Sequence, residues 1–433
     1  MRNQKQEVRS SLSRRRFLRT TATAGGAVAA YLSFPRKQFA LNSETLKIGL
    51  VGCGGRGTGA AVQALAADQN TVLTAMADAF EDRLKSSLDV LKSQSGERVQ
   101  VDPGHCFVGF DACEKLIHSD VDVVLLAAPP GFRPAHLKAC VEAGKHIFCE
   151  KPVAVDAPGV RSVLATVEEA RKKKLALVSG LCWRYSTAER ETFKQIHDGA
   201  VGKITTVYST YNTSPLWNRP RQPEWNDMEY QMRNWYYFAW LSGDHIVEQA
   251  IHSIDKMCWV MNGELPTKAI ALGGRQARLG PDWGHIYDHF SVTYDYASGA
   301  KGFHHCRQQQ GCANETKDYI LGTKGSCEIE GSRRLHIIRG EKEWKYEGQY
   351  NNMYQAEHDE LFASIRKGEP INDGVWMTHS TMMAILGRMA AYTGQSITWE
   401  QAIHSQENLA PLKLEWGPTP FADVAIPGQT KLS

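Results

Sequence analysis

The 433 residues predict an α/β domain built on a doubly wound parallel sheet, followed by an α+β domain with a large, mostly antiparallel open sheet. Three observations carry this prediction. From residue 46 onward, short apolar runs alternate with amphipathic stretches of helical period, the β-α-β-α rhythm of a parallel sheet covered on both faces. Beyond about residue 200 the pattern changes to period-two alternation, which fits strands with one face buried and one exposed. The length also favours two domains over one.

The elements of the first part follow in order. Strand 46–51 leads through a glycine-rich turn to helix 58–67, and strand 72–77 leads to the charged helix 81–93. Strand 121–127 precedes helix 135–143, which stops at Gly144, the residue type that best tolerates a helix end. Strand 146–149, helix 157–174 and strand 176–181 complete the series. In the second part, strands 204–211, 287–296 and 302–307 alternate by two, and helices 354–367 and 376–393 show apolar spacings of three and four. Segment 214–244, rich in tryptophan and punctuated by proline, is too long and too apolar for a plain linker and reads as a functional loop or short-helix region. The expected division is 1–40 as a leading segment, 44–170 as the doubly wound α/β domain and 171–433 as the α+β domain, whose C-terminal helices pack back on the first.

The start of the chain reads as an export signal. Ser13-Arg14-Arg15-Arg16-Phe17-Leu18-Arg19 has the paired arginines, Phe-Leu and basic residue of the twin-arginine pattern, and 20–33 is a mild apolar stretch too short to span a bilayer. This route carries folded proteins, so a periplasmic or otherwise exported protein loaded with a cofactor is expected. Residues 1–40 hold nine Lys or Arg against one Glu, so the body beyond them is mildly acidic. Such a body carries no electrostatic footprint for nucleic acid or anionic lipid. The ten cysteines form no Cys-x-x-Cys pair and fall mostly in apolar runs, which suits buried free thiols and provides no metal-ligand spacing.

Four groups of residues carry chemistry. Gly52-Cys53-Gly54-Gly55-Arg56-Gly57 is a Gly-x-Gly-x-x-Gly run between a strand and a helix: Gly52 for the tight turn, Gly54 for close approach of a pyrophosphate, Gly57 for helix-on-strand packing. Asp78, at the end of the next strand, is placed to hydrogen-bond an adenosine ribose, which favours NAD over NADP; it is equally an N-cap candidate for the helix that follows. Glu150-Lys151-Pro152 follows strand 146–149 at the carboxyl edge of the sheet, where a lysine can polarise a substrate hydroxyl. Glu248, His252 and Asp255 are spaced by four and three, so one helix places them on one face, with a carboxylate orienting a histidine general base. Finally Trp183, Trp217, Trp225, Trp235, Trp240, Trp259 and Trp283 crowd into one hundred residues. Flat rings suit the apolar faces of sugars, and core packing accounts for more than half of them. Arg184, Arg233, Asn234, Trp235 and His245 are further candidates for a substrate pocket.

With these motifs the chain resembles the glucose-fructose oxidoreductase and inositol dehydrogenase family, Gfo/Idh/MocA. The resemblance covers almost the whole chain beyond the signal: the glycine turn, Ala128-Pro129-Pro130 with His136, Ala143-Gly144-Lys145-His146, Glu150-Lys151-Pro152, Gly322-Thr323-Lys324-Gly325, Thr393-Gly394-Gln395 and Thr398-Trp399-Glu400. It implies a Rossmann domain binding NAD through the glycine turn, Asp78, Pro130, Glu150 and Lys151. It also implies that Lys151 and His252 remove a hydroxyl proton while hydride passes to NAD, with a sugar, sugar derivative or cyclitol as substrate and a homo-oligomer formed through the open sheet. An aspartate four residues before the histidine is usual in the family, so Glu248 departs by one methylene. A redox-neutral, NAD-dependent glycoside hydrolase on the same scaffold and a non-catalytic sugar-binding protein are the alternatives.

Overall fold

The computed structural model describes residues 44–432, so the twin-arginine pattern and the apolar stretch after it lie outside the described residues. The first sheet takes β1 (Leu46–Val51), β2 (Thr71–Asp78), β3 (Cys106–Val108), β4 (Val123–Leu126), β5 (His146–Cys149) and β6 (Leu177–Ser179) in the order β3-β2-β1-β4-β5-β6. All pairings in it are parallel. Helices α1 (Gly55–Ala67), α2 (Glu81–Ser95), α3 (Ala112–Ile117), α4 (Arg133–Glu142) and α5 (Ala157–Lys172) make the crossovers. This is the doubly wound order in which the sheet reverses direction between β1 and β4, and a crevice opens at the carboxyl ends there. The strands read as near-continuous apolar runs because helices cover both faces; Val-Val-Leu-Leu of β4 is wholly buried. β6 belongs to this sheet, so the nucleotide domain runs to Ser179 rather than ending at 170.

The second domain begins with α6 (Thr187–His197) and β7 (Ile204–Thr213). Segment 214–244 then contains α7 (Asp227–Arg233) and α8 (Ala239–Ser242), followed by α9 (His245–Glu248) and α10 (Ile251–Val260). Strands β8 (Pro266–Gly274), β9 (His289–Tyr296), β10 (Lys301–Gln308), β11 (Glu315–Gly322), β12 (Ser326–Glu330), β13 (Leu335–Arg339) and β14 (Glu343–Lys345) come next. The chain closes with α11 (Met353–Lys367), α12 (Gly374–Thr393), β15 (Ile397–Thr398) and α13 (Trp399–Ile403). The nine-stranded order is β14-β13-β12-β11-β7-β10-β9-β8-β15, antiparallel except where β7 and β10 run parallel. Alternate residues of β9 and β10 are buried, as their period-two sequence requires.

Two packing relationships bring the domains together. Helix α12 is buried along nearly its whole length and packs against α5 of the first domain and against α10 and β8 of the second. Helix α11 lies on α1, and its Leu361 and Phe362 join the apolar cluster of Ile48, Leu50 and Phe148. Helix boundaries have local causes. The Asp156 side chain accepts from Gly159 N–H at the start of α5, and Thr398 and Gln401 form a reciprocal capping box on α13.

Candidate active site

The nucleotide crevice is made by its glycines. Gly52 has φ +94°, and a Cβ on it would fall 2.4 Å from Ala128 N. A Cβ on Gly57 would fall 1.8 Å from the Gly52 carbonyl oxygen, so only hydrogen fits where α1 crosses β1. Gly54 and Gly55, by contrast, face open space. Helix α1 has no side-chain N-cap and no acid in its first turn, which leaves its first backbone N–H groups for an anion. The side chain of Asp78 accepts from Cys53 N–H at 2.7 Å and from Phe80 N–H at 2.9 Å, and burial raises its pKa. It therefore braces the glycine turn while lining the cleft. It is not the cap of α2, whose N-cap is Phe80 without a side-chain bond. These features fit a dinucleotide: a turn without side chains, free helix N–H groups and a carboxylate at the second strand.

The cleft that starts here has a volume of about 940 Å³ and is walled by both domains. Asp78 and Lys151 follow strands three positions apart in the sheet, about 14 Å at the usual strand spacing. At the Lys151 end, Arg56 bonds Glu150, Gln63 at 2.7 Å and Glu357 at 2.7 Å. Arg56 thus ties the glycine turn to the Glu-Lys-Pro strand end and to α11, so its guanidinium is committed to two protein carboxylates and the Gln63 amide oxygen. The second Glu150 oxygen accepts from Lys151 N–H at 3.0 Å. Its carboxyl group packs where a Cβ on residue 180 would sit, which explains Gly180. Buried Arg133 donates to the carbonyls of Glu150 and Ala128, holding the ends of β5 and β4 together beside Pro130.

Lys151 Nζ donates to the Glu248 carbonyl oxygen at 2.5 Å and to its Oε1 at 2.9 Å. Burial raises the Glu248 carboxyl pKa, and the Lys151 charge opposes that rise. His252 also lines the cleft, and its Nδ1 is buried without a hydrogen-bond partner. Burial, reinforced by the positive charges of Lys151, Lys256 and Arg56, holds its pKa well below the usual histidine range. The imidazole is therefore neutral at ordinary pH. One expectation is corrected here: Glu248 does not orient His252. Helices α9 and α10 are separate, broken at residues 249 and 250, so Glu248 swings away from the helical face it was expected to share and reaches Lys151 instead.

Of the other expected substrate contacts, Arg184, Asp255, His245 and Asn234 lie away from the cleft wall, and Arg233 stands at the end of it remote from Lys151. Arg184 and Asp255 bind each other at 2.9–3.2 Å, with Arg184 between the Trp259 and Trp376 rings and Asp255 also accepting from Ser380. The pair is structural because it consumes the donors and acceptors a substrate would need. His245 is fully buried against Asp244 and the Tyr287 carbonyl, away from the cleft wall. Arg233 does line the cleft, but at the Asp78 end, where it bonds Asp82 at 3.1 Å and Glu229 at 2.8 Å and covers the Phe80 ring at 4.1 Å. Asn234 is buried and bonded to the Arg219 backbone.

Of the seven tryptophans, Trp183, Trp217 and Trp235 line the cleft. Trp240 is buried with its Nε1 donating to Gln231, Trp259 stacks on Phe193, and Trp225 and Trp283 pack beside Arg233 and Tyr237. Lys256, Tyr211, Gln249 and Tyr354 also line the cleft and were not anticipated. Lys256 stands four residues after His252, a spacing that places it on the same helix face and was visible in the sequence. Tyr354 arrives from a helix distant in the chain, and no local pattern marks it.

Residues 46–179 match the model of the GFO/IDH/MocA oxidoreductase family with an NAD-binding Rossmann fold, and residues 190–328 match the GFO/IDH/MocA C-terminal domain. The chain is 26% identical over 343 residues to inositol 2-dehydrogenase of Rhizobium meliloti, an alignment covering 76% of this chain and 93% of that protein. The aldose-aldose oxidoreductase of Caulobacter crescentus, complexed with glycerol, shares the fold with a TM-score of 0.65 and 21% identity; 82% of this chain and all of that one are covered. Levoglucosan dehydrogenase, in complex with NADH and levoglucosan, superposes with a TM-score of 0.64 at 18% identity, covering 82% and 99% of the two chains. With its glycine cradle and both family domains in place, this chain belongs to the Gfo/Idh/MocA oxidoreductase family and carries that family's NAD-binding domain.

Proposed function

We propose that this protein is an NAD-dependent oxidoreductase acting on a secondary hydroxyl of a sugar, sugar derivative or cyclitol, with Lys151 and His252 handling the hydroxyl proton. One observation carries the reading: the Lys151 ammonium and the unpartnered, neutral imidazole of His252 both line the cleft into which the glycine turn opens. NAD, when bound, supplies the hydride acceptor. Glu248 holds the Lys151 side chain in place through two hydrogen bonds. The Lys151 charge stabilises negative charge on the substrate oxygen, and His252, kept free of a proton by burial, accepts the one that leaves. Asp78 favours NAD, because a 2′-phosphate would meet a carboxylate.

Export in the folded state by the twin-arginine route belongs to the same proposal and rests on Arg14, Arg15 and the residues after them. Free NAD is scarce outside the cytoplasm, so an exported enzyme of this kind needs a second substrate or a closed redox cycle. Arg219, Arg233 and Trp217 of the second domain wall the Asp78 end of the cleft. Their position favours a second reading, a redox-neutral NAD-dependent glycoside hydrolase that keeps its cofactor in place. A homo-oligomer formed through the open sheet face is also part of the proposal, on the strength of the exposed Ile270 and Leu272.

The test is to purify the protein, measure copurifying NAD, and supply free sugars beside aryl glycosides. Stoichiometric NADH from a free sugar supports the dehydrogenase, and aglycone release without net NADH supports the hydrolase. Lys151→Ala abolishes either activity while retaining NAD; full activity in that variant overturns the mechanism. Sugar binding without turnover indicates a non-catalytic protein.

A further inference from the structure

The Asp78 end of the cleft is built by both domains and carries an excess of positive charge. Phe80, Arg83 and Phe110 come from the first domain, and Trp217, Arg219 and Arg233 from the second. Arg233 crosses between them. Its two terminal nitrogens donate to the two Asp82 carboxylate oxygens at 3.1 and 3.2 Å, and its guanidinium covers the Phe80 ring at 4.1 Å. Trp416 of the C-terminal stretch packs on the same first-domain rings, 4.5 Å from Phe110 and 5.3 Å from Phe80.

Arg233 is neutralised by Asp82 and Glu229, but the arginines beside it are not. Arg219 is fixed by three bonds: its backbone N–H donates to Asn234 Oδ1 at 2.8 Å, its carbonyl accepts from Asn234 Nδ2 at 2.9 Å, and its Nη1 donates to the Arg233 carbonyl at 2.7 Å. None of these partners is a carboxylate. Its guanidinium lies on the Trp217 ring at 4.6 Å, and burial together with the charges of Arg83 and Arg233 lowers its pKa. Arg83, half-buried on the first-domain side, has no ion-pair partner among the described residues. Two guanidiniums without counter-ions in one partly enclosed space repel each other, so their convergence suits a guest that takes positive charge on its faces. A flat, electron-rich ring is such a guest, because a guanidinium stacks on aromatic faces through its plane as well as its charge. Asp78 marks this as the end for the adenosine ribose, which makes adenine the ring that arrives here. A 2′-phosphate would instead meet the Asp78 carboxylate.

We infer that Arg219 is a cofactor-binding residue supplied by the second domain: its guanidinium, backed by Trp217, stacks on the adenine of NAD across from Arg83, and the Arg233–Asp82 pair holds the two walls together around it. The nucleotide domain alone then makes an incomplete NAD site, and bound NAD leaves slowly. The inference rests on NAD lying with its adenosine at Asp78, and it holds for a dehydrogenase and for a hydrolase alike. It is tested on the full-length protein charged with adenine-labelled NAD and chased with unlabelled NAD, with ADP-ribose and nicotinamide mononucleotide as competitors. In Arg219→Met, which keeps an apolar stem on Trp217, NAD release is expected to speed up at least tenfold and ADP-ribose to weaken by a similar factor, while nicotinamide mononucleotide competes as before. Asp82→Asn, at an exposed position that spares the fold, speeds release at least threefold. Unchanged release in either variant overturns the inference and leaves NAD binding standing. Equal weakening of ADP-ribose and nicotinamide mononucleotide in Arg219→Met points to general damage of the cleft and overturns it as well. NADP bound more tightly than NAD, with that preference lost in Arg219→Met, assigns the arginine to a 2′-phosphate and also overturns it. If the unaltered protein holds no labelled nucleotide, the NAD-dependent reading falls and this inference falls with it.

Discussion

Lys151 Nζ and the Glu248 carboxylate meet at 2.9 Å although 97 residues separate them, and the Glu248 carbonyl binds the same ammonium at 2.5 Å. The contact joins the end of β5 to the end of α9 and so sets the position of one domain's lysine from the other domain's backbone. Glu248→Ala removes half of that hold. The expected outcome is a fall of about 10²-fold in kcat/KM with NAD affinity retained, since positioned proton-transfer groups contribute on that order. Steady-state kinetics beside NAD titration checks it, and unchanged kinetics would show that the carbonyl alone suffices.

The pH profile reports on His252. Its pKa is depressed by burial and by the charges of Lys151, Lys256 and Arg56. Activity that needs a neutral imidazole is therefore kept as pH falls through the ordinary histidine value and is lost only near the depressed one. Removing a positive neighbour raises that pKa, so the acid limb of kcat/KM moves to higher pH in Lys256→Met. Because Asp318 would be left buried and unpaired, the double variant with Asp318→Asn is the better comparison. An acid limb that stays in place in both variants argues that His252 is not the titrating base.

Asp78 has two duties, and one substitution separates them. Its carboxylate braces Cys53 N–H and Phe80 N–H, and its charge disfavours a 2′-phosphate. In Asp78→Asn the shape and one acceptor oxygen remain while the charge goes. NADP affinity is expected to rise by about tenfold or more relative to NAD, at about 1.4 kcal/mol per decade. Direct binding titration of both nucleotides decides the matter.

Gly57 tests the cradle itself. With a Cβ projected 1.8 Å from the Gly52 carbonyl, Gly57→Ala must push α1 away from β1. The cost is about 1–3 kcal/mol, the usual range for overpacking, together with a marked loss of NAD affinity. Gly55→Ala, which points into open space above the same turn, is the control and leaves the thermal midpoint nearly unchanged. Equal melting of the two variants would contradict the packing role of Gly57.

Local patterns carried much of this molecule. The run from Leu46 to Gly57 shows in one stretch the buried strand, the tight turn and the helix start, because each depends on neighbours a few residues away. The same holds for Lys151 at a strand end and for His252 on an apolar-backed helix. The misplaced residues share one cause. Arg184, Asp255 and His245 are polar and stand close in sequence to true cleft residues, yet their partners, Trp376, Ser380 and the Tyr287 carbonyl, come from segments far along the chain. Nothing local distinguishes an arginine that faces substrate from one that closes a buried ion pair.

Periodicity and spacing in the sequence by themselves determined the two-domain order, the glycine turn and Asp78 beside it, since these follow from side-chain period, turn chemistry and chain order, whereas the pairing of Lys151 with His252 came from the family resemblance. Only the tertiary structure decided what those residues face. The break between α9 and α10 turned Glu248 from His252 to Lys151, and segment 214–244 folded back so that Arg233 reaches Asp82. Helix α11 delivered Glu357 to Arg56 and Tyr354 to the cleft. The physical reason is that a side chain's partner is chosen by packing between distant elements, and the direction of a side chain at a helix break or domain junction is set by that packing and not by its own neighbours.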